Sequence, residues 1–364
     1  MLSNRTPLPF LLLALLALIF ALWAGLLRLG WRIPSATVSL VLLHGPLMVS
    51  GFLGTLITLE RVVALKQRWM YLTPLLTGLG WLVTLLAPAS PAGPLALTLG
   101  SLGGAVILGV ILRRDPALHS VVMLLGMLSW AATNILWVAG LPIFQVATGW
   151  QAFLVLTILG ERQELNRVLR PSPFQTRLFG LFAAVFLLGM GLSFAGWGGG
   201  DRLFGAGLLG LALWSLPNDI AWRNLRHRLP LTRYIAWCLS LGFAWLAAAG
   251  ILYILLGRQF AGPYYDALLH SVFIGFVISM IFGHAPIIFP AILGTPVNFH
   301  PVYYAQLGLL HVSLVLRMAG DLGGLNSLRM WGGLLNEVAI LLFLGATLYM
   351  VRRGLVQQNS QKPS

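Results

Sequence analysis

The chain has 364 residues, of which 58% are hydrophobic and only 9% charged, with a mean hydropathy of +0.88. Soluble globular domains carry about 25% charged residues, so the composition excludes that class and calls for a polytopic membrane protein. The formal net charge of +14 would suggest nucleic acid in a soluble protein; here it comes from the flanks of apolar runs and implies no nucleic-acid partner.

Apolar runs of about twenty residues predict helices rather than the short alternating strands of a barrel, because lipid offers backbone groups no outside partner. Taken in order, the runs predict about twelve spans: 9–30, 36–64, 70–88, 92–112, 117–139, 142–160, 176–196, 202–222, 231–256, 264–292, 299–319 and 329–351. The first follows a short charged start, as a signal peptide would, but it is long for one and is read as a retained helix. Pro- and Gly-rich punctuation separates several spans, as at 87–94, 140–142 and 170–173. The expected organisation is one transmembrane domain over 1–353 and a polar, frayed tail over 354–364.

Lys and Arg counting orients the chain. With the N-terminus inside, the inner loops hold 17 basic residues, from Arg5 and Arg61 through Arg162 to Arg352, Arg353 and Lys362. The outer loops hold 6: Arg28, Arg32, Arg202, Arg258, Arg317 and Arg329. This asymmetry places both termini in the cytoplasm and the protein in a bacterial-type inner membrane, with the lipid bilayer as its first partner.

The stretch 263–296 carries His270 and His284 on one helix, ~21 Å apart by helical rise. Depth separates them. His44 of span two, His270 of span ten and His311 of span eleven each lie ~9–12 Å below the outer face. An imidazole at lipid depth needs a use for its ring nitrogens, and neutral imidazole ligates both iron and copper. With Cys238 the only cysteine and Asp266 the only carboxylate expected at this depth, an all-imidazole haem or copper site is one reading. The other is that each histidine bonds a neighbouring carbonyl or hydroxyl. Met48 shares the His44 face at i+4, and Asp266 shares that of His270. Asp266 is read as orienting the imidazole, as binding a propionate-side arginine, or equally as an interfacial charge.

A second group lies at the inner face: Glu60, Arg61, His119, Glu161, Arg162, Glu164, Asp219, His284 and His300. Ion pairs closing helix ends, or a second site built on Glu60, His119, Glu161, His284 and His300, both account for it. His227 belongs to a basic loop and reads as solvated. The chain has no Walker A loop, HExxH, nucleophile elbow or Cys-x-x-Cys-His. Any haem is thus held without covalent attachment.

The segment His44-Gly45-Pro46-Leu47-Met48-Val49-Ser50-Gly51-Phe52 resembles the second-helix motif of the NnrS family, and His270, Gly275 and Met280 are similar to its later His-x4-Gly-x4-Met helix. Twelve spans also resemble haem-copper oxidase subunit I, in which histidines of helices two and ten hold a haem. The resemblance implies a b-type haem on His44 and His270, copper or a third contact at His311, and a role in nitric oxide response or electron transfer. Pro46 stands where the NnrS pattern has a second histidine, and spans six and seven lack the copper histidines of the oxidases. An oxygen-reducing binuclear centre is therefore not expected. A metal or small-solute transporter using the same histidines, and a purely structural membrane subunit, remain the competing readings.

Overall fold

The computed structural model describes residues 6–37, 39–293 and 299–360, without the side chains at 290–293 and 355–360. Arg5, Lys362 and the 294–296 end of the histidine-bearing stretch lie outside the described residues. Every regular element among the described residues is helical.

Twelve long helical segments occur among the described residues. In chain order, α1 is Leu8–Leu29, α2 Leu40–Leu65, α3 Arg68–Leu86, α4 Ala92–Arg114, α5 Leu118–Val138 and α6 Ile143–Leu169. They are followed by α7 Pro173–Phe194, α8 Gly200–Asn218, α9 Pro230–Leu256, α10 Gly262–Phe289, α11 Val302–Gly323 and α12 Asn326–Ser360. Eleven of them are long and apolar enough to cross a membrane, and α8 is the exception. The protein is an all-α multi-pass membrane protein.

Exposed side chains point to the same class from the outside. On α4, Leu95, Leu99, Leu102 and Val106 recur at helical spacing and are all exposed. On α1, Leu12, Leu16 and Ile19 do the same. Each such leucine would gain about 1.5–3 kcal/mol from leaving water, so stripes of them on outer faces imply contact with lipid.

Several expected boundaries change, among them the end of the sixth span, expected at 160 and found at Leu169. The span expected over 202–222 ends at Asn218, and a separate turn runs over Ile220–Asn224. Asp219 makes the break by taking extended φ/ψ and accepting from Ala221 N at 2.8 Å, an N-cap that starts a new helix. The tail expected to be separate from Gly354 instead continues α12 through Ser360.

The chain divides into two compact units, Met1–Glu161 and Arg162–Ser364, with the boundary inside α6. In the first, α1 packs on α2 and α3, and the chain then proceeds by neighbour contacts through α4 and α5. In the second, α7 pairs with α8, α8 with α9, α9 with α10, and α11 with α12.

Both units contain one helix with an eight-residue π-helical stretch: Leu47–Gly54 in α2 and Ser271–Ile278 in α10. A π turn is wider than an α turn and needs outside contacts to hold it; such segments gather at functional positions. In each unit a histidine precedes the stretch, His44 in one and His270 in the other.

Candidate functional site

In the first unit, His44 is half-buried, and its Nδ1 lies 2.7 Å from the Ala21 carbonyl oxygen of α1. A carbonyl only accepts, so Nδ1 carries the ring proton and Nε2 keeps the lone pair. Met48, one turn on, is half-buried.

The π stretch after His44 is held by tryptophans. A Cβ on Gly54 would stand 2.3 Å from Trp130 Cζ2, so only glycine admits the indole here. Trp130 Nε1 donates to Ser50 Oγ at 2.9 Å. Ser50 donates to Asn134 Oδ1 at 3.5 Å, and Trp150 Nε1 donates to the same oxygen at 3.0 Å. Ser50, Trp130, Asn134 and Trp150 are all buried. Hydropathy and spacing do not predict this polar knot. Its one legible signal is Asn134 inside an apolar span, a residue that needs hydrogen-bond partners at that depth.

The inner group splits into separate pairs. Arg61 Nη2 binds Glu161 Oε1 and also lies 3.7 Å from Met123 Sδ. His119 is buried and reaches Asp115 Oδ2 at 3.1 Å and Ser120 Oγ at 3.2 Å. Glu60 is half-buried beside Arg61 in the chain.

The second unit holds its own pieces of that group. Arg162, expected as a flanking charge, is buried and clamps Asp219 with Nε to Oδ2 at 2.9 Å and Nη2 to Oδ1 at 2.7 Å. Asn166 Nδ2 adds a bond to Asp219 Oδ2 at 3.0 Å. His284 Nδ1 lies 2.7 Å from Met280 O, in its own helix. His300 is exposed and accepts from Val302 N at 3.2 Å. His227, expected to be solvated, is half-buried and accepts from Leu229 N at 3.1 Å. Of the residues expected for a second site, Glu161 pairs with Arg61, while His119, His284 and His300 each have a bond within their own stretch of chain.

His270 lies in a charged cluster. Its Nδ1 is 3.0 Å from Asp266 O and 3.1 Å from Asp266 Oδ1, so that nitrogen bears the proton. Its Nε2 faces Arg317 Nη2 at 3.4 Å. Arg317 grips Asp266 with two parallel bonds, Nε to Oδ2 and Nη2 to Oδ1, both 2.9 Å. Asp266 therefore both orients the imidazole and binds an arginine. Two sequence expectations are corrected here. Arg317 is not a loop charge; it is buried, because its guanidinium is neutralised by a fork-on-fork partner. Asp266 is not the only carboxylate inside this unit: Asp321 and Glu337 are buried too.

His311 has both ring nitrogens engaged elsewhere. Trp245 Nε1 donates to Nδ1 at 3.0 Å, and Nε2 meets Ser279 Oγ at 3.3 Å. Ser279 in turn donates to Cys238 O at 2.8 Å. Trp245 reaches this place because α10 has Gly275 there: a Cβ would lie 2.5 Å from Trp245 Cγ. His270 and His311 therefore serve different partners. Among the described residues, no three His, Cys, Asp or Glu side chains converge as metal ligands.

Residues 6–352 match a family described as "Domain of unknown function (DUF8744)". The chain belongs to that family. No curated protein and no solved structure matches it.

Proposed function

We propose that the protein is a haem-binding membrane protein of the NnrS-like kind, acting in nitric oxide response or electron transfer, with His44 as the iron ligand. The observation that carries this reading is the 2.7 Å contact between His44 Nδ1 and Ala21 O. Ligating histidines donate their second ring N–H to a carbonyl or carboxylate, which fixes the tautomer and aims the other nitrogen. His44 meets that requirement and heads a π segment clamped by Trp130. Haem bound through a protein imidazole supplies one-electron chemistry and a place for a small gas ligand.

The reading assigns His270 and His311 to the fold. Arg317 donates toward Nε2 of His270, while Trp245 and Ser279 occupy the two nitrogens of His311. His311 does not fit a copper ligand in this arrangement. The charge asymmetry of the loops, with both termini in the cytoplasm of a bacterial-type cell, completes the proposal.

The test is the absorption spectrum of protein purified from haem-replete cells. A Soret band is expected, lost or shifted in His44→Ala and kept in His311→Ala. Absence of the band, or an unchanged band in His44→Ala, overturns the reading. A transporter using the same histidines would show no chromophore and would move metal across vesicles instead.

A further inference from the structure

Four segments of the second unit meet at one end of its helices: the last turns of α6, the start of α7, the Ile220–Asn224 turn after α8, and the start of α9. Side-chain bonds hold them together. Arg162 and Asn166 both bind Asp219, and Asn166 Oδ1 also accepts from Ile220 N at 3.1 Å. Gln175 of α7 reaches two ways: Oε1 accepts from Ser172 N at 2.7 Å, and Nε2 donates to Asn218 Oδ1 at 2.6 Å. Trp214 Nε1 of α8 donates to Gln175 O at 2.8 Å. The Ile220–Asn224 turn packs on α9.

This frame turns positive charge outward. Arg167, Arg170, Arg177, Arg223, Arg226 and Arg228 are all exposed. Over residues 162–233 the one exposed carboxylate is Glu164, since Asp201 and Asp219 are buried. Asp219 is moreover spent on Arg162. Among the described residues, the side chains of Arg177, Arg223 and Arg226 form no ion pair or hydrogen bond. The surplus is therefore left for an anion from outside the chain to neutralise.

The apolar surroundings say which kind of anion fits. Trp222, Phe174 and Leu229 are exposed beside these arginines in the chain, and tryptophan settles where a bilayer meets water. On α7, Arg177, Leu181 and Leu188 recur at helical spacing and are all exposed. From 177 to 188 the helix rises ~16 Å, about half of a ~30 Å hydrocarbon core. A guanidinium thus heads an apolar strip one leaflet deep. A phosphate with an acyl chain attached matches both parts, whereas a soluble anion would use the head alone.

We propose that this face of the second unit is a binding site for anionic phospholipid, the arginines holding the headgroup phosphate and the α7 strip an acyl chain. Guanidiniums pair phosphate oxygens bidentately. Each basic group near an anionic membrane surface is worth about fivefold in binding. A zwitterionic lipid carries its own cation beside the phosphate and gains less from the same arginines.

The test is native mass spectrometry of the full chain in detergent with equal amounts of phosphatidylglycerol and phosphatidylcholine. Wild-type protein is expected to retain phosphatidylglycerol preferentially, with the preference eroded by added salt. The triple variant Arg177→Gln, Arg223→Gln, Arg226→Gln should lower that preference at least fivefold at unchanged Tm, because these side chains bind nothing within the protein. The double variant Arg113→Gln, Arg114→Gln, at the exposed basic end of α4, should keep it. Equal retention of the two lipids by wild-type protein overturns the proposal. So does a preference that survives the triple variant, or one lost equally in the double variant, which marks diffuse charge instead of a site. Displacement of the lipid by glycerol 3-phosphate at equal concentration assigns the face to a soluble anion and overturns it too. The readout involves neither haem nor His44.

Discussion

Trp245 Nε1 donates to His311 Nδ1 at 3.0 Å, and this bond decides which nitrogen of the imidazole carries the proton. An indole N–H cannot accept, so Nδ1 is the acceptor and the proton sits on Nε2, aimed at Ser279 Oγ. Ser279 then passes its own O–H to Cys238 O. The chain Trp245–His311–Ser279–Cys238 is closed, every donor having an acceptor. Trp245→Phe opens it at one end and leaves a half-buried acceptor without its donor, at a cost of about 1–3 kcal/mol. Thermal unfolding in detergent measures the loss. A cycle with His311→Phe should show coupling of about 0.5–3 kcal/mol between the two positions. Additive effects would mean the bond contributes nothing.

Gly275 and Gly308 make a paired comparison. Gly275→Ala drives a methyl to within 2.5 Å of Trp245 Cγ, whereas a Cβ on Gly308 would meet nothing within 4 Å. The first should destabilise by about 1–3 kcal/mol through overpacking. Helix propensity favours Gly308→Ala by up to about 1 kcal/mol. Equal melting temperatures for the two variants would contradict the packing described at Trp245.

Asp219 performs two tasks that substitution can separate. It neutralises Arg162 and caps the Ile220–Asn224 turn. Asp219→Ala removes both and should cost about 3–5 kcal/mol, because it leaves a buried guanidinium without its partner. Asp219→Asn keeps a capping oxygen and should be milder by about 1 kcal/mol. The order of the two melting temperatures is the measurement.

Asn134 is the centre of the polar knot in the first unit. Asn134→Leu takes the acceptor from Trp150 Nε1 and from the Ser50 hydroxyl, at about 1–3 kcal/mol for each buried group left unpaired. Because Ser50 lies within the π stretch of α2, hydrogen exchange of the backbone over Leu47–Gly54 should rise in this variant. Unchanged protection there would show that the knot does not hold the π turn.

How far the fold can be read from the sequence depends on the range of the forces involved. Span positions follow from local composition, and α4 ends within two residues of its expected end. The α8 segment stops short of its expected C-terminus because its stop is a cap by Asp219, and that residue is held by Arg162, 57 positions away. The π stretches leave no trace in periodicity, since both lie in runs that are apolar on every side. Tryptophans from other helices pack against both, Trp130 at Gly54 and Trp245 at Gly275. Asp321 and Glu337 are visible as acids in or beside apolar runs, but nothing local says that they are buried in the unit that holds Asp266.

Chemistry that depends on single residues is therefore legible, and chemistry that depends on partners is not. By itself the sequence determined a polytopic helical membrane protein with histidines inside its spans, because hydropathy acts residue by residue along the chain. Only the tertiary structure decided what those histidines touch. The Ala21 carbonyl holds the Nδ1 proton of His44 and leaves Nε2 its lone pair, Asp266 and Arg317 enclose His270, and Trp245 and Ser279 occupy His311. A ring nitrogen's role is set by whichever donor or acceptor lies within about 3 Å. For His44 and His311, helix packing brings such neighbours from 23 and 66 positions away.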